Sequence, residues 1–179
     1  MRLDHIAYRV ADRNRTARFF REAFGYKVQQ EFTIDFGDSQ TAQCIALEPP
    51  EKALRDTPWV GMAPPGFEFC TYHLAPEIFV SDGSPGSIVG DWVAARGGVG
   101  GIHHLAYQVH SVEETMRLWK EKGYAEFTSD APLRCPGLTQ VFTRPSELTG
   151  VIYEFIERGE FGFCKDNVRA LMESTRGIR

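Results

Sequence analysis

The chain has 179 residues, 42% of them hydrophobic and 25% charged, a balance that suits a packed domain and excludes a disordered one. Its formal net charge of −4 carries no basic stripe or polybasic segment, so neither nucleic acid nor membrane is an expected partner. No apolar run approaches the roughly 20 residues of a spanning helix, no basic-then-apolar leader opens the chain, and the four cysteines form no Cys-x-x-Cys pair. A cytoplasmic protein with reduced thiols is the expectation.

In chain order, "LDHIAYRV" (3–10) alternates as a strand, with Leu3, His5, Ala7 and Arg9 on one face. The helix "ADRNRTARFFREAFG" follows, with Asp12 as N-cap, Phe20 and Phe24 one turn apart, and Gly25 as its stop. "YKVQQEFTIDFG", "TAQCIALE" and "FCTYHLAPEIFV" read as three more strands, the last two separated by the proline-rich "EPPEKALRDTPWVGMAPPGFEF". That insert is a hairpin extension, open to use as a flap at a pocket mouth or as a contact in a homodimer. "RGGVGG" at 96–101 is a glycine break.

"IHHLAYQV" (102–109) then spells the opening strand again, with His104 in the place of His5. Strict alternation puts Ile102, His104, Ala106 and Gln108 on one face and His103 on the other. "HSVEETMRLWKEKG" is the second helix, with Ser111 and Glu114 as a capping box, Met116 and Trp119 inward, and Gly123 as its stop. "YAEFTSD", "LTQVFTRP" and "GVIYEFIER" complete the second half, and "DNVRALMEST" sets Val168, Leu171 and Met172 on one helical face.

The chain is thus α+β: two βαβββ modules, 1–97 and 101–158, forming one eight-stranded cup-shaped sheet. They make a single domain over 1–160, with a C-terminal helix in 159–179 that either lids the cup or packs outside it. Neither half covers its own concave sheet, so equivalent inward residues converge, and His5 meets His104 across a pseudo-twofold axis. Ile152, Glu154 and Ile156 share a face of the last strand, and burying that lone carboxylate costs several kcal/mol without a partner. Two histidines and one carboxylate make a facial triad with open positions, suited to Fe(II), with Co, Ni, Mn or Zn as other occupants. His73 and His110 lack a counterpart in the other half and read as structural. The chain contains no glycine-rich phosphate loop, nucleophile elbow or H-E-x-x-H.

These residues resemble the vicinal oxygen chelate (glyoxalase/bleomycin resistance/dioxygenase) superfamily. More specifically, "GSIVGDWVAARGGVGGIHHLAYQV", "GLTQVFTRP" and "VIYEFIERGEFGFCKDNVRALMEST" resemble the iron-bearing C-terminal half of 4-hydroxyphenylpyruvate dioxygenase, most closely from about residue 85 to 175. The family's metal-free N-terminal half has no counterpart here. The resemblance implies His5, His104 and Glu154 as Fe(II) ligands, Gln140, Phe142 and Phe163 beside the substrate, and the tail helix with Val168 as a lid. It also implies a small 2-oxo acid substrate and dioxygen as partners. Ser81 stands for a family asparagine, Ser87 and His103 for glutamines, and Val168 for a phenylalanine, and so altered a pocket implies another substrate. Two other readings stay open. An epimerase or glyoxalase-like lyase of the methylmalonyl-CoA epimerase type would draw a fourth ligand and a base from "HLAPEIFVS", where Phe79 or, in another register, Glu77 takes the position. A metal-free binding or resistance protein would leave the buried Glu154 unexplained.

Overall fold

The two histidine strands lie side by side at the centre of one sheet. The structure is a computed structural model and describes residues 1–50, 75–159 and 162–178. His73, the proline-rich extension and the start of "FCTYHLAPEIFV" lie outside the described residues. Module one comprises β1 (Arg2–Val10), α1 (Arg13–Phe24), β2 (Lys27–Gly37), β3 (Gln40–Glu48) and β4 (Glu77–Gly83). A short helix α2 (Ile88–Ala94) leads to module two: β5 (Gly100–Gln108), α3 (Val112–Glu121), β6 (Leu133–Cys135), β7 (Leu138–Phe142) and β8 (Ile152–Arg158), followed by α4 (Lys165–Ser174).

The eight strands run in the order β2-β3-β4-β1-β5-β8-β7-β6. β1 and β5 pair antiparallel, and each pairs parallel with the last strand of its own module. Local chemistry sets the helices. Asp12 accepts from the Arg15 N–H at the start of α1, Gly25 ends it in the left-handed conformation, and Ser111 caps α3 through the Glu114 N–H. α1 packs over Val10, Tyr26, Leu47 and Val80, and α3 over Val141 and Phe155 on the convex side. Each such fully buried side chain contributes about 1.5–3 kcal/mol relative to exposure.

Two local expectations change, and one helix has no counterpart in the sequence pattern. Between β4 and the glycine break, Ser87 caps α2, whose Ile88, Val89, Trp92 and Val93 are buried. "YAEFTSD" supplies only a bridge from Phe127 to Thr143, and Leu133–Cys135 makes the edge strand instead. Phe24 is 55% exposed, because α1 turns Ala17 and Phe20 to the sheet while Gly25 has already ended the helix. At the module junction Gly100 has φ of 86°, and a Cβ there would lie 2.0 Å from the Arg9 carbonyl oxygen, so only glycine lets β5 start this close to β1. No described helix is long and apolar enough to cross a membrane.

Candidate metal centre

The β1–β5 ladder is interrupted twice. On β1, Leu3 pairs with Tyr107 and His5 with Ala106, so Asp4 is one residue too many; on β5, Ala7 pairs with His104 and Tyr8 with Ile102, so His103 is the extra one. Both are bulges, and they occupy the same position in the two modules: each immediately precedes the histidine. A bulge lets two successive residues turn toward one side. Asp4 is accordingly buried beside His5, and His103 beside His104, while Ile102 is 49% exposed. The outward placement expected of His103 from strict alternation is therefore corrected.

The bulges supply the orienting partners of the histidines. The Asp4 carboxylate stands 2.8 Å from His5 Nδ1, and His103 Nδ1 stands 2.8 Å from His104 Nδ1. Asp4 can only accept, so His5 carries its proton on Nδ1 and keeps the Nε2 lone pair for the centre. The two Nε2 atoms are 3.3 Å apart, and Glu154 Oε2 lies 3.2 Å from that of His5 and 3.0 Å from that of His104. Donors about 2.1 Å from one ion stand about 3.0 Å apart at right angles and about 3.4 Å apart at tetrahedral angles. The three atoms therefore fit a single divalent ion, and all three residues are buried.

Glu154 is fixed from its other side. The Gln140 amide donates to Oε1 over 2.5 Å and accepts from Asn167 on α4 over 3.2 Å, so one carboxylate oxygen is left for the centre. Burial would raise the Glu154 carboxyl, but the His5 charge and the two histidine bonds hold it well below the usual range. Burial would lower His5, yet the Glu154 charge and the Asp4 contact push it up to about 9. Burial lowers His104 despite Glu154. Behind the centre, Arg158 bridges Asp4 at 2.6 Å and Glu77 at 3.0 Å, with its guanidinium 4.6 Å from the Phe163 ring centre.

The centre opens on a cavity lined by Arg9, Phe79, Ser81, His103, Gln140, Phe142, Phe163 and Val168, among others. Its volume is about 30 Å³, so it is a narrow slot. Six of the seven residues expected to contact substrate lie on it. Ser87 does not: its hydroxyl donates to the Ser84 carbonyl and accepts from the Gly90 N–H, capping α2. Val168, Leu171 and Met172 line the slot, so the tail helix covers the cup instead of packing outside it. Glu77 sits opposite His5 on β4, turned to Arg158, and Ala7 opposite Phe79 matches Ala106 opposite Glu154. The counterpart of the ligand glutamate in module one is thus Phe79. Asp4, Arg9 and Asn167 were not anticipated as site residues. The signal for Arg9 was its place on the His5 face.

A duplicated βαβββ sheet cupping a His–His–Glu cluster defines a class, and the family follows from sequence. The model of the glyoxalase/bleomycin resistance protein/dioxygenase superfamily matches residues 4–134, and the chain belongs to that superfamily. Among solved structures, a triple mutant of 4-hydroxymandelate synthase from Streptomyces coelicolor is similar at 21% identity and TM-score 0.72, covering 98% of this chain and 53% of that one. The chain thus spans about half the length of that synthase. A hypothetical protein from Bacillus halodurans is similar at 25% identity and TM-score 0.62, over 91% of this chain and 98% of that one. Methylmalonyl-CoA epimerase from Mycobacterium tuberculosis is similar at 19% identity and TM-score 0.61, over 88% and 87%. No curated protein sequence is detectably similar to the chain.

Proposed function

We propose that this protein is a non-haem Fe(II) oxygenase that acts on a small 2-oxo acid with dioxygen as co-substrate. One observation carries the reading: among the described residues the cluster has three protein donors, and the symmetry-related fourth position is the hydrocarbon ring of Phe79. A divalent ion held by His5, His104 and Glu154 would supply a Lewis-acidic, redox-active centre with positions open to substrate and dioxygen. The chain's own part is to hold and shield. Asp4 and His103 fix the rings, Gln140 leaves Glu154 one free oxygen, and Phe79, Phe142 and Phe163 keep water from the slot.

The isomerase alternative wants a fourth ligand or a base carboxylate from β4. Phe79 holds the first position, and Glu77, the nearest acid there, is committed to Arg158. The reading is tested by loading the protein anaerobically with Fe(II) and titrating a panel of 2-oxo acids. A weak visible charge-transfer band, followed on aeration by oxygen uptake matched to carbon dioxide release, is expected. No band with any 2-oxo acid, together with solvent hydrogen exchange beside a carbonyl in the Co(II) or Ni(II) form, would replace the oxygenase with an isomerase.

A further inference from the structure

Two arginines, Arg9 buried and Arg158 half-buried, stand near the centre, and their surroundings differ. Arg158 has two carboxylates. Arg9, 3% exposed, has none: among the described residues it forms no ion pair, Nη2 donates to the Thr175 hydroxyl over 3.0 Å, and Nη1 is buried without a hydrogen-bond partner. Burial pulls its guanidinium down to about 9, so it stays protonated at neutral pH. A buried cation with no counter-charge costs several kcal/mol, and Arg9 lines the same slot as His5 and Glu154.

A second orphan lies on that slot. His103 Nε2 is buried without a partner. If His104 offers its Nε2 lone pair to a metal, its Nδ1 carries the proton and donates to His103 Nδ1. Neutral His103 must then be protonated on Nε2, making that atom a donor with nothing to donate to. Both side chains rest against Trp92, the Arg9 guanidinium 5.8 Å and the His103 ring 5.5 Å from its ring centre.

We propose that Arg9, assisted by His103, binds a distal carboxylate of the substrate, so that the preferred substrate is a diacid with one end at the metal and the other at Arg9. This rests on the metal-centred reading above. Arg9 lies four residues beyond His5, about 13 Å along the strand. The reach of both side chains shortens that span to what a 2-oxo diacid of about five to seven carbons bridges.

The test pairs each diacid with the monoacid of equal length: 2-oxoglutarate with 2-oxopentanoate, 2-oxoadipate with 2-oxohexanoate, 2-oxopimelate with 2-oxoheptanoate. Affinities are measured anaerobically by calorimetry on the Fe(II)-loaded protein, and a second arm follows melting of the metal-free protein with glutarate, adipate and pimelate. In the wild type at least one diacid should bind about tenfold or more tightly than its monoacid. Arg9→Met should bring that ratio to about one, with a cooperative melting transition reporting an intact fold. Arg9→Lys, keeping charge without the fork, should retain part of the preference. Diacid protection of the metal-free protein that vanishes in Arg9→Met, with no iron band from any 2-oxo acid, would sustain the subsite and remove the oxygenase. Absence of diacid preference in both arms of the wild type, or its persistence in Arg9→Met, would overturn the subsite.

Discussion

Asp4 is the residue on which the site's electrostatics turn. It holds the His5 ring, anchors Arg158, and through Arg158 reaches Glu77. Asp4→Asn leaves an amide where two donors expect a carboxylate, and metal affinity is expected to fall 10- to 100-fold in a competition titration with a chelator. Protons compete at the same place. Because the folded His5 value of about 9 lies above the ordinary 6.5, protonated His5 stabilises the metal-free fold below pH 6.5. That contribution fades as pH rises through about 9. A bound metal displaces the proton, so apparent affinity is expected to weaken about tenfold for each unit of pH below 9, and the same titration repeated across pH 6 to 9 checks it. An affinity flat across that range would show that Glu154 and Asp4 do not hold a proton on His5. The ligands themselves were legible from the repeat and from an acid on an apolar face. Their orienting partners were not, because a bulge breaks period-two counting at Asp4 and His103 and the hydrophobic pattern carries no mark of it.

At the scale of elements, the junction between modules rests on Gly100. An alanine there meets the Arg9 carbonyl in a conformation that side chains rarely adopt, and it must push β5 away from β1. Gly100→Ala is expected to cost at least about 2 kcal/mol by urea denaturation. Gly98→Ala, at φ of 76° but facing open space, should cost about 1 kcal/mol. Equal effects would mean that β5 tolerates a wider separation than the ladder implies. Periodicity identified α1, α3 and β2 because each buries one regular face, and β3 by its apolar run, since Ala42, Cys44 and Ala46 are buried on one side and Ile45 and Leu47 on the other. It missed α2 because seven residues give too few turns to establish a period, and the capping serine before it looked like a substrate contact. It misplaced β6 because an edge strand of three residues is held by pairing with β7, not by its own pattern.

For the molecule as a whole, duplication does two kinds of work. It brings equivalent histidines together at the centre of one sheet, and it lets the modules diverge at the matching position of their last strands, Glu154 in one and Phe79 in the other. One half thus supplies an acid, the other a dry wall. The helix α4 closes the cup and is tied to the ligand set through Asn167 and Gln140. The fold class and its pseudo-symmetry were legible in the two copied strands. The closed slot was not, since its width depends on how the tail helix seats.

The claim beneath all of this is that His5, His104 and Glu154 hold one ion, and elemental analysis of reconstituted, desalted protein addresses it directly. One divalent metal per chain is predicted for the wild type, with none above background in folded His5→Ala, His104→Ala and Glu154→Ala. A full equivalent of metal surviving in any of the three folded variants would contradict it.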